Sequence, residues 1–326
     1  MQYENFSCMF LEKVYLLKIN WVTHMSIFDS HLHFFSWDFF AAMARQKDPA
    51  ANIEHMLNDL AQRAKIELPP REVPSHLQHW LNELDWYGVE RAVVFASLPE
   101  EAAAVAEAVN SSNRRLVGFC MINPKMAGAA QRVNALAKDF GYRGVMLFPA
   151  LHHYHLFDPS LLPFFEAVAE NGLQLLTHFG LLQVKLRDAL ELPRAYDSRF
   201  ANPLDLQAVA NRFPQIKFII PHFGCGFFRE TLMLGMQCEN IYIDTSSSNN
   251  WIVTQPHKLT LADVFEKTRL VFGVERILFG TDSGAFPRGW RKDILEEQNL
   301  AMRSAGFSEA EMEMVLGGNA GRLFGK

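Results

Sequence analysis

Eight short apolar runs, each rich in β-branched or aromatic residues and each followed by a helical pattern, restrict this chain more than any other feature. They span residues 26–33, 91–97, 116–122, 143–148, 173–178, 217–222, 241–245 and 276–281. Most are apolar almost throughout, as strands covered on both faces are. Residues 99–113 open on Pro99 with Glu100 and Glu101 in the first turn, which favours a helix there. Residues 127–140, 159–171, 203–212, 228–238, 261–271 and 290–305 read likewise, and Ser308 with Glu311 forms a capping box ahead of 308–316. This alternation predicts an α/β protein built as one (β/α)8 TIM barrel over residues 25–326. An open doubly wound sheet would want a glycine-rich phosphate loop after its first strand, where the chain has His31-Leu32-His33-Phe34-Phe35.

Two connections are longer than the barrel needs. Residues 34–90 leave room for a helical insertion of two or three helices after the first strand, and 179–202 form a long loop after the fifth. Both depart from the C-terminal rim, where barrel active sites form. Residues 1–24 scatter Glu4, Glu12, Lys13 and Lys18 among aromatics and aliphatics and lack the ordered regions of a secretory leader. They read as an N-terminal extension ahead of a natural start at Met25, or as an appended strand or helix packing on the body. Cys8, Cys120, Cys225 and Cys238 form no C-x-x-C pair, which points to reduced thiols and a cytoplasmic chain. No window reaches the roughly 18 uncharged apolar residues of a membrane helix. A net charge of -5 gives no electrostatic footprint for nucleic acid or an anionic membrane, so the expected partner is a small-molecule substrate.

The polar residues that interrupt these runs carry the chemistry. In Asp29-Ser30-His31-Leu32-His33, strand alternation turns Asp29, His31 and His33 to one face, toward the barrel interior. Two imidazoles at that spacing can grip one divalent ion. Three further runs end in His178, His222 and Asp282. One such histidine alone reads as a hydrogen-bonded structural residue. Four strand ends delivering such groups to one rim would cost several kcal/mol unless the groups are paired or coordinated.

Asp-x-His-x-His on the first strand, His178 after the fifth, His222 after the sixth and Asp282 after the eighth resemble the amidohydrolase superfamily. The closer resemblance is to its amidohydrolase-related branch, which includes aminocarboxymuconate semialdehyde decarboxylase and metal-dependent TIM-barrel hydrolases. Residues 143–149, 240–246 and 317–324 look similar too, and the resemblance covers nearly everything after Met25. It implies His31, His33, His178 and Asp282 as metal ligands and His222 as a catalytic residue beside the activated water. Members with two metals carry a lysine or carboxylate on the fourth strand; here Met146 stands there, a poor ligand for a hard ion pair, so one metal is expected. Zn2+ is the first expectation, with Mn2+ or Fe2+ as alternatives. Phe148 stands where many relatives have a histidine and makes that side of the pocket apolar.

The implied mechanism has Asp282 or His222 take a proton from water, the hydroxide attack a carbonyl carbon, and His222 as imidazolium stabilise the oxyanion. His152, His153 and His155 contact substrate or sit in a solvated loop. Arg194, Arg199, Arg288 and Arg291 are surface residues, or one of them clamps a substrate carboxylate. Asp244 and Ser246 read as loop ties, and His24, His55, His76, His79 and His257 as structural. The leading expectation is a mononuclear metal-dependent hydrolase of a lactone, amide or ester bearing a carboxylate. The alternative is a non-oxidative decarboxylase of an aromatic or dienoic acid, favoured by an arginine beside the metal. A non-catalytic barrel comes third. Relatives suggest a homodimer.

Overall fold

A computed structural model describes residues 26–325, apart from Ala51 and Ser248. The extension 1–24 and the start at Met25 lie outside the described residues. All eight runs form strands: β1 Ile27–His33, β2 Val89–Ala96, β3 Leu116–Met121, β4 Gly144–Leu147, β5 Gln174–Thr177, β6 Phe218–Ile220, β7 Ile241–Asp244 and β8 Ile277–Leu278. They pair in parallel in sequence order, and helices alternate with them, so the chain is a (β/α)8 TIM barrel. β1 meets the chain just past β8 through backbone bonds Ser30 N–H to Phe279 O at 2.8 Å, Asp282 N–H to His31 O at 2.9 Å and His33 N–H to Ser283 O at 2.7 Å.

Several strands stop sooner than the apolar runs suggest. β6 ends at Ile220 because Pro221 has no N–H to give the ladder. His222 and Phe223 then turn into the left-handed region at φ +58 and +53. After β8 the chain leaves the sheet, and Asp282 sits at φ +59. Such conformations cost of order 1–3 kcal/mol outside glycine and persist where the surroundings hold them. Both polar residues owe their direction to this turn rather than to strand alternation.

The barrel interior is filled by side chains such as Phe95, Phe119, Met121, Met146 and Ile219. Phe324 closes the N-terminal end, with ring centroids 5.6 Å from Phe28 and 5.8 Å from Phe119. It arrives on a C-terminal helix that continues past the expected end at 316: a π-turn Met314–Gly318 leads into Asn319–Phe324. Gly317-Gly318 looks like a stop signal, but Gly317 serves close approach, since a Cβ there would lie 2.1 Å from Ser26 O.

The 34–90 insertion contains three helices, α1 Trp37–Lys47, α2 Ile53–Ala64 and α3 Val73–Trp86. Phe39, Phe40, Leu57 and Leu60 pack with Leu190 and Leu192 from the loop after β5. The two long connections thus share one small core of their own. Cys120, Cys225 and Cys238 are free thiols. Among the described residues no helix is long and apolar enough to cross a membrane.

Candidate metal centre

His31, His33, His178, His222 and Asp282 come from four separate strand ends and converge. Potential ligand atoms of His31, His178 and His222 lie within 4.8 Å of one another, as do those of His31, His33 and Asp282. His31 belongs to both trios. It is fully buried, and its Nε2 has no hydrogen-bond partner. Its other nitrogen, Nδ1, lies 2.6 Å from Asp244 Oδ2. An Nδ1–H donating to that carboxylate leaves the Nε2 lone pair facing Asp282 Oδ1 at 3.6 Å. With the ring neutral, acceptor faces acceptor, which a bound cation relieves; without one, the two carboxylates favour a proton on His31. His178, buried, also has an unpartnered Nδ1. His33 Nε2 is 3.2 Å from Asp282 Oδ1, and its Nδ1 is 2.9 Å from Ser97 Oγ. His222 Nδ1 lies 3.2 Å from Ser246 O and 2.8 Å from Ser246 Oγ. Donation to that carbonyl frees the His222 Nε2 lone pair. Imidazole and carboxylate donors of this kind suit a divalent ion of the Zn, Mn or Fe type.

Burial and neighbouring charges together set the protonation of these groups. Burial pulls His31 down, yet Asp244 and Asp282 hold it above the ordinary histidine value. Burial also works on Asp282 and Asp244, raising both, but the surrounding imidazoles outweigh it and both stay well ionised. Burial and neighbouring rings push His178 well down and His222 to about 4, so both are neutral near pH 7.

Two sequence expectations are corrected here. Asp29, expected to face the barrel interior beside His31 and His33, does not point to the cluster. The β1 register is irregular between Asp29 and Leu32, and the Asp29 carboxylate turns to the chain after β8. There it accepts bonds from Thr281 N at 3.1 Å, the Thr281 hydroxyl, and Trp290 Nε1 at 2.8 Å. It anchors the segment that carries Asp282. Asp244 is more than a loop tie, since it is the partner of His31. Gly280 makes room for that contact: a Cβ there would lie 2.6 Å from Asp244 Oδ1. The available signal was the apolar run of β7 ending in an acid beside other ligand-bearing strands.

Phenyl rings back two of the imidazoles. Phe35 stacks on His33 with centroids 4.7 Å apart and planes at 10°, and Phe148 stacks on His178 at 4.3 Å and 12°. Met146 is buried among the interior apolar residues. The three candidates after β4 part company. His153 Nε2 is 2.6 Å from Ala195 O and His155 Nδ1 is 2.6 Å from Asp205 Oδ2, so both serve structure. His152 lines a cavity of about 480 Å³ with Leu98, Met121, Met126, Arg132 and Arg187. This cavity lies beside the imidazole cluster rather than at it, and Leu98 follows Ser97, the residue behind His33. Of the four loop arginines, Arg194, Arg199 and Arg291 pair with Asp188, Asp197 and Asp293. Arg288 is exposed and holds no hydrogen bond or ion pair among the described residues; partial burial and neighbouring Arg291 pull its guanidinium down, with Asp282 opposing them.

A barrel with imidazoles and carboxylates at its C-terminal mouth defines a class, that of metal-dependent barrel enzymes. The chain belongs to the amidohydrolase family, whose model matches residues 28–326, and it is an enzyme of that metal-dependent family. Its fold is similar to 5-carboxyvanillate decarboxylase from Sphingomonas paucimobilis (TM-score 0.62, 17% identity, 92% of this chain and 99% of that one). It is also similar to a probable 2-pyrone-4,6-dicarboxylic acid hydrolase from Acinetobacter baumannii with citric acid bound (0.58, 17%, 93% and 100%). A third similar structure is 5-carboxyvanillate decarboxylase from Novosphingobium aromaticivorans, complexed with manganese and 4-hydroxy-3-methoxy-5-nitrobenzoic acid (0.61, 13%, 93% and 96%). No curated protein sequence matches the chain significantly.

Proposed function

We propose that the chain is a mononuclear metal-dependent hydrolase that uses an activated water on a small lactone, amide or ester carrying a carboxylate. The observation that carries this reading is the unpartnered, buried Nε2 of His31, set among His33, His178, His222 and Asp282. His31, His33, His178 and Asp282 would hold the ion, Zn2+ first and Mn2+ or Fe2+ as alternatives. When bound, a divalent cation supplies a Lewis acid that acidifies water and polarises a carbonyl. Asp282, kept ionised by the rings around it, accepts the proton of the attacking water at its carboxylate. His222, its Nδ1 engaged by Ser246, keeps the Nε2 lone pair to take a proton and pass it to the leaving group. The resting His222 ring is neutral and becomes the oxyanion-stabilising imidazolium only during turnover.

The decisive experiment pairs metal analysis with turnover on a panel of lactones and esters. Purified protein supplied with zinc should hold one ion per chain. His222→Ala should keep that ion and lose orders of magnitude in turnover. Near-normal rates would overturn the catalytic role, and loss of the ion would make His222 a ligand instead, as its place in one trio allows.

Arg288 favours a second reading. An unpaired guanidinium in the loop after β8 suits a substrate carboxylate, as decarboxylation of an aromatic or dienoic acid requires. Carbon dioxide release from hydroxybenzoates would select this branch over hydrolysis.

A further inference from the structure

We propose that Glu101 is a positioning residue that aims His33 into the metal centre by bracing it from two sides. This rests on the reading of His33 as a ligand. Glu101 lies in the turn Pro99–Glu101 just after β2, and its side chain is wholly buried. One oxygen, Oε1, accepts the Ser36 N–H at 2.6 Å, and the other, Oε2, accepts the Ser97 N–H at 2.8 Å. Each of those serines controls one aspect of the His33 ring. The Ser97 hydroxyl is 2.9 Å from His33 Nδ1. When Nδ1–H donates to it, the lone pair is left on Nε2, the atom facing Asp282. Ser36 follows Phe35, which stands at φ +42 and lays its phenyl flat on the His33 ring. A phenylalanine does not hold that backbone conformation unaided. The bond from Ser36 N–H to Glu101 fixes the chain immediately after it.

Tautomer and ring plane of one imidazole therefore depend on a single buried side chain that touches neither the ring nor the ion site. Burial raises the Glu101 carboxyl to about 8 against the pull of the Ser36 and Ser97 N–H donors, and in either protonation state each oxygen keeps a lone pair for one of the two donors. Glutamine matches the shape but sets an NH2 against one of them, leaving a buried donor facing a donor. Partners that orient metal-bound histidines typically change metal affinity by about 10- to 100-fold when removed.

The test uses the full chain and two readouts. Zinc affinity is measured by competition with a chromophoric chelator for the parent, Glu101→Gln, Glu101→Asp and Ser97→Ala. Nitrogen NMR of the His33 ring is recorded on the metal-free proteins. We expect Glu101→Gln and Ser97→Ala to weaken zinc binding by about 10- to 100-fold and to shift the His33 tautomer signals. Glu101→Asp, which keeps both acceptors on a shorter stem, should recover part of the loss. Unchanged ring signals and unchanged zinc affinity in Glu101→Gln would overturn the brace. Should that variant fail to fold, Ser97→Ala decides the matter, because it removes one hydroxyl only, and parent-like zinc binding and ring signals in it would overturn the brace as well. A parent that binds no zinc while its variants still shift the ring signals would support the brace and overturn the ligand reading instead.

Discussion

The two halves of the barrel mouth are built on opposite principles. Around β1, β5, β6 and β8, buried imidazoles and a carboxylate face one another, with ring nitrogens of His31 and His178 left unpartnered. Around β2, β3 and β4 the corresponding interior positions hold Phe95, Met121 and Met146. The halves touch at Phe95, whose ring centroid is 4.6 Å from that of His31. The apolar half is stable as it stands, because packing satisfies it. The polar half carries a desolvation cost that hydrogen bonds only partly offset. A strand-end group in the polar half therefore bears on the ion, whereas a side chain in the apolar half bears on what is held against it.

His31→Ala should do the most damage, because His31 belongs to both trios. Loss of the stoichiometric ion and a fall in kcat/KM on the order of a thousandfold or more are expected. A variant that still holds one ion per chain would place the centre elsewhere. Asp244→Asn keeps the shape of the His31 partner but not its charge. Zinc affinity should drop by about 10- to 100-fold, and the same chelator competition measures it. An unchanged affinity would return Asp244 to the role of a loop tie.

Phe148→Ala probes the boundary from the apolar side, since its ring stacks on His178. An aromatic contact of this kind is worth about 1 kcal/mol, so zinc binding should weaken by less than tenfold while KM rises by up to about that factor. If zinc were lost as completely as in His31→Ala, the division between the halves would fail.

The sequence makes much of this division legible, and where it does not the causes are specific. Strand number and order follow from eight apolar runs, because a strand covered on both faces has little freedom in composition. His31 and His33 are legible from strand alternation, and Met146 from standing where a ligand would be. Asp29 misleads, since alternation alone turns it toward the cluster. An irregular register in β1 and the Thr281 and Trp290 donors capture it instead, and both donors lie more than 250 residues away in the chain. Asp244 and Glu101 were hidden for a related reason: each acts through a partner distant in sequence, and an acid at a strand end or in a helix's first turn already has an ordinary explanation. Of the four loop arginines, local sequence does not separate Arg288 from the three that find aspartates, because pairing depends on which carboxylates the loops bring near.

The smallest effect concerns a buried histidine in neither half. His76, on α3, holds the Phe34 carbonyl at 2.7 Å and so ties the insertion to the residue after His33. Burial, aided by nearby His79 and opposed by that carbonyl, pushes its ring from 6.5 down to about 4. Between those values the unfolded chain binds a proton that the folded chain refuses. The stability contributed by the neutral ring is thus fully present above pH 6.5 and is lost as pH falls toward 4. The loss approaches 1.4 kcal/mol per pH unit once well below 6.5, or about 1 kcal/mol between pH 6.5 and 5.5. Glutamine at this position keeps a donor for the Phe34 carbonyl and cannot titrate. In urea melts of the metal-free protein, His76→Gln should therefore lose less stability than the parent across that interval, by about 1 kcal/mol. Parallel curves would mean that the ring is already charged in the folded chain. The low value would then come from something other than a sealed joint between the insertion and the barrel.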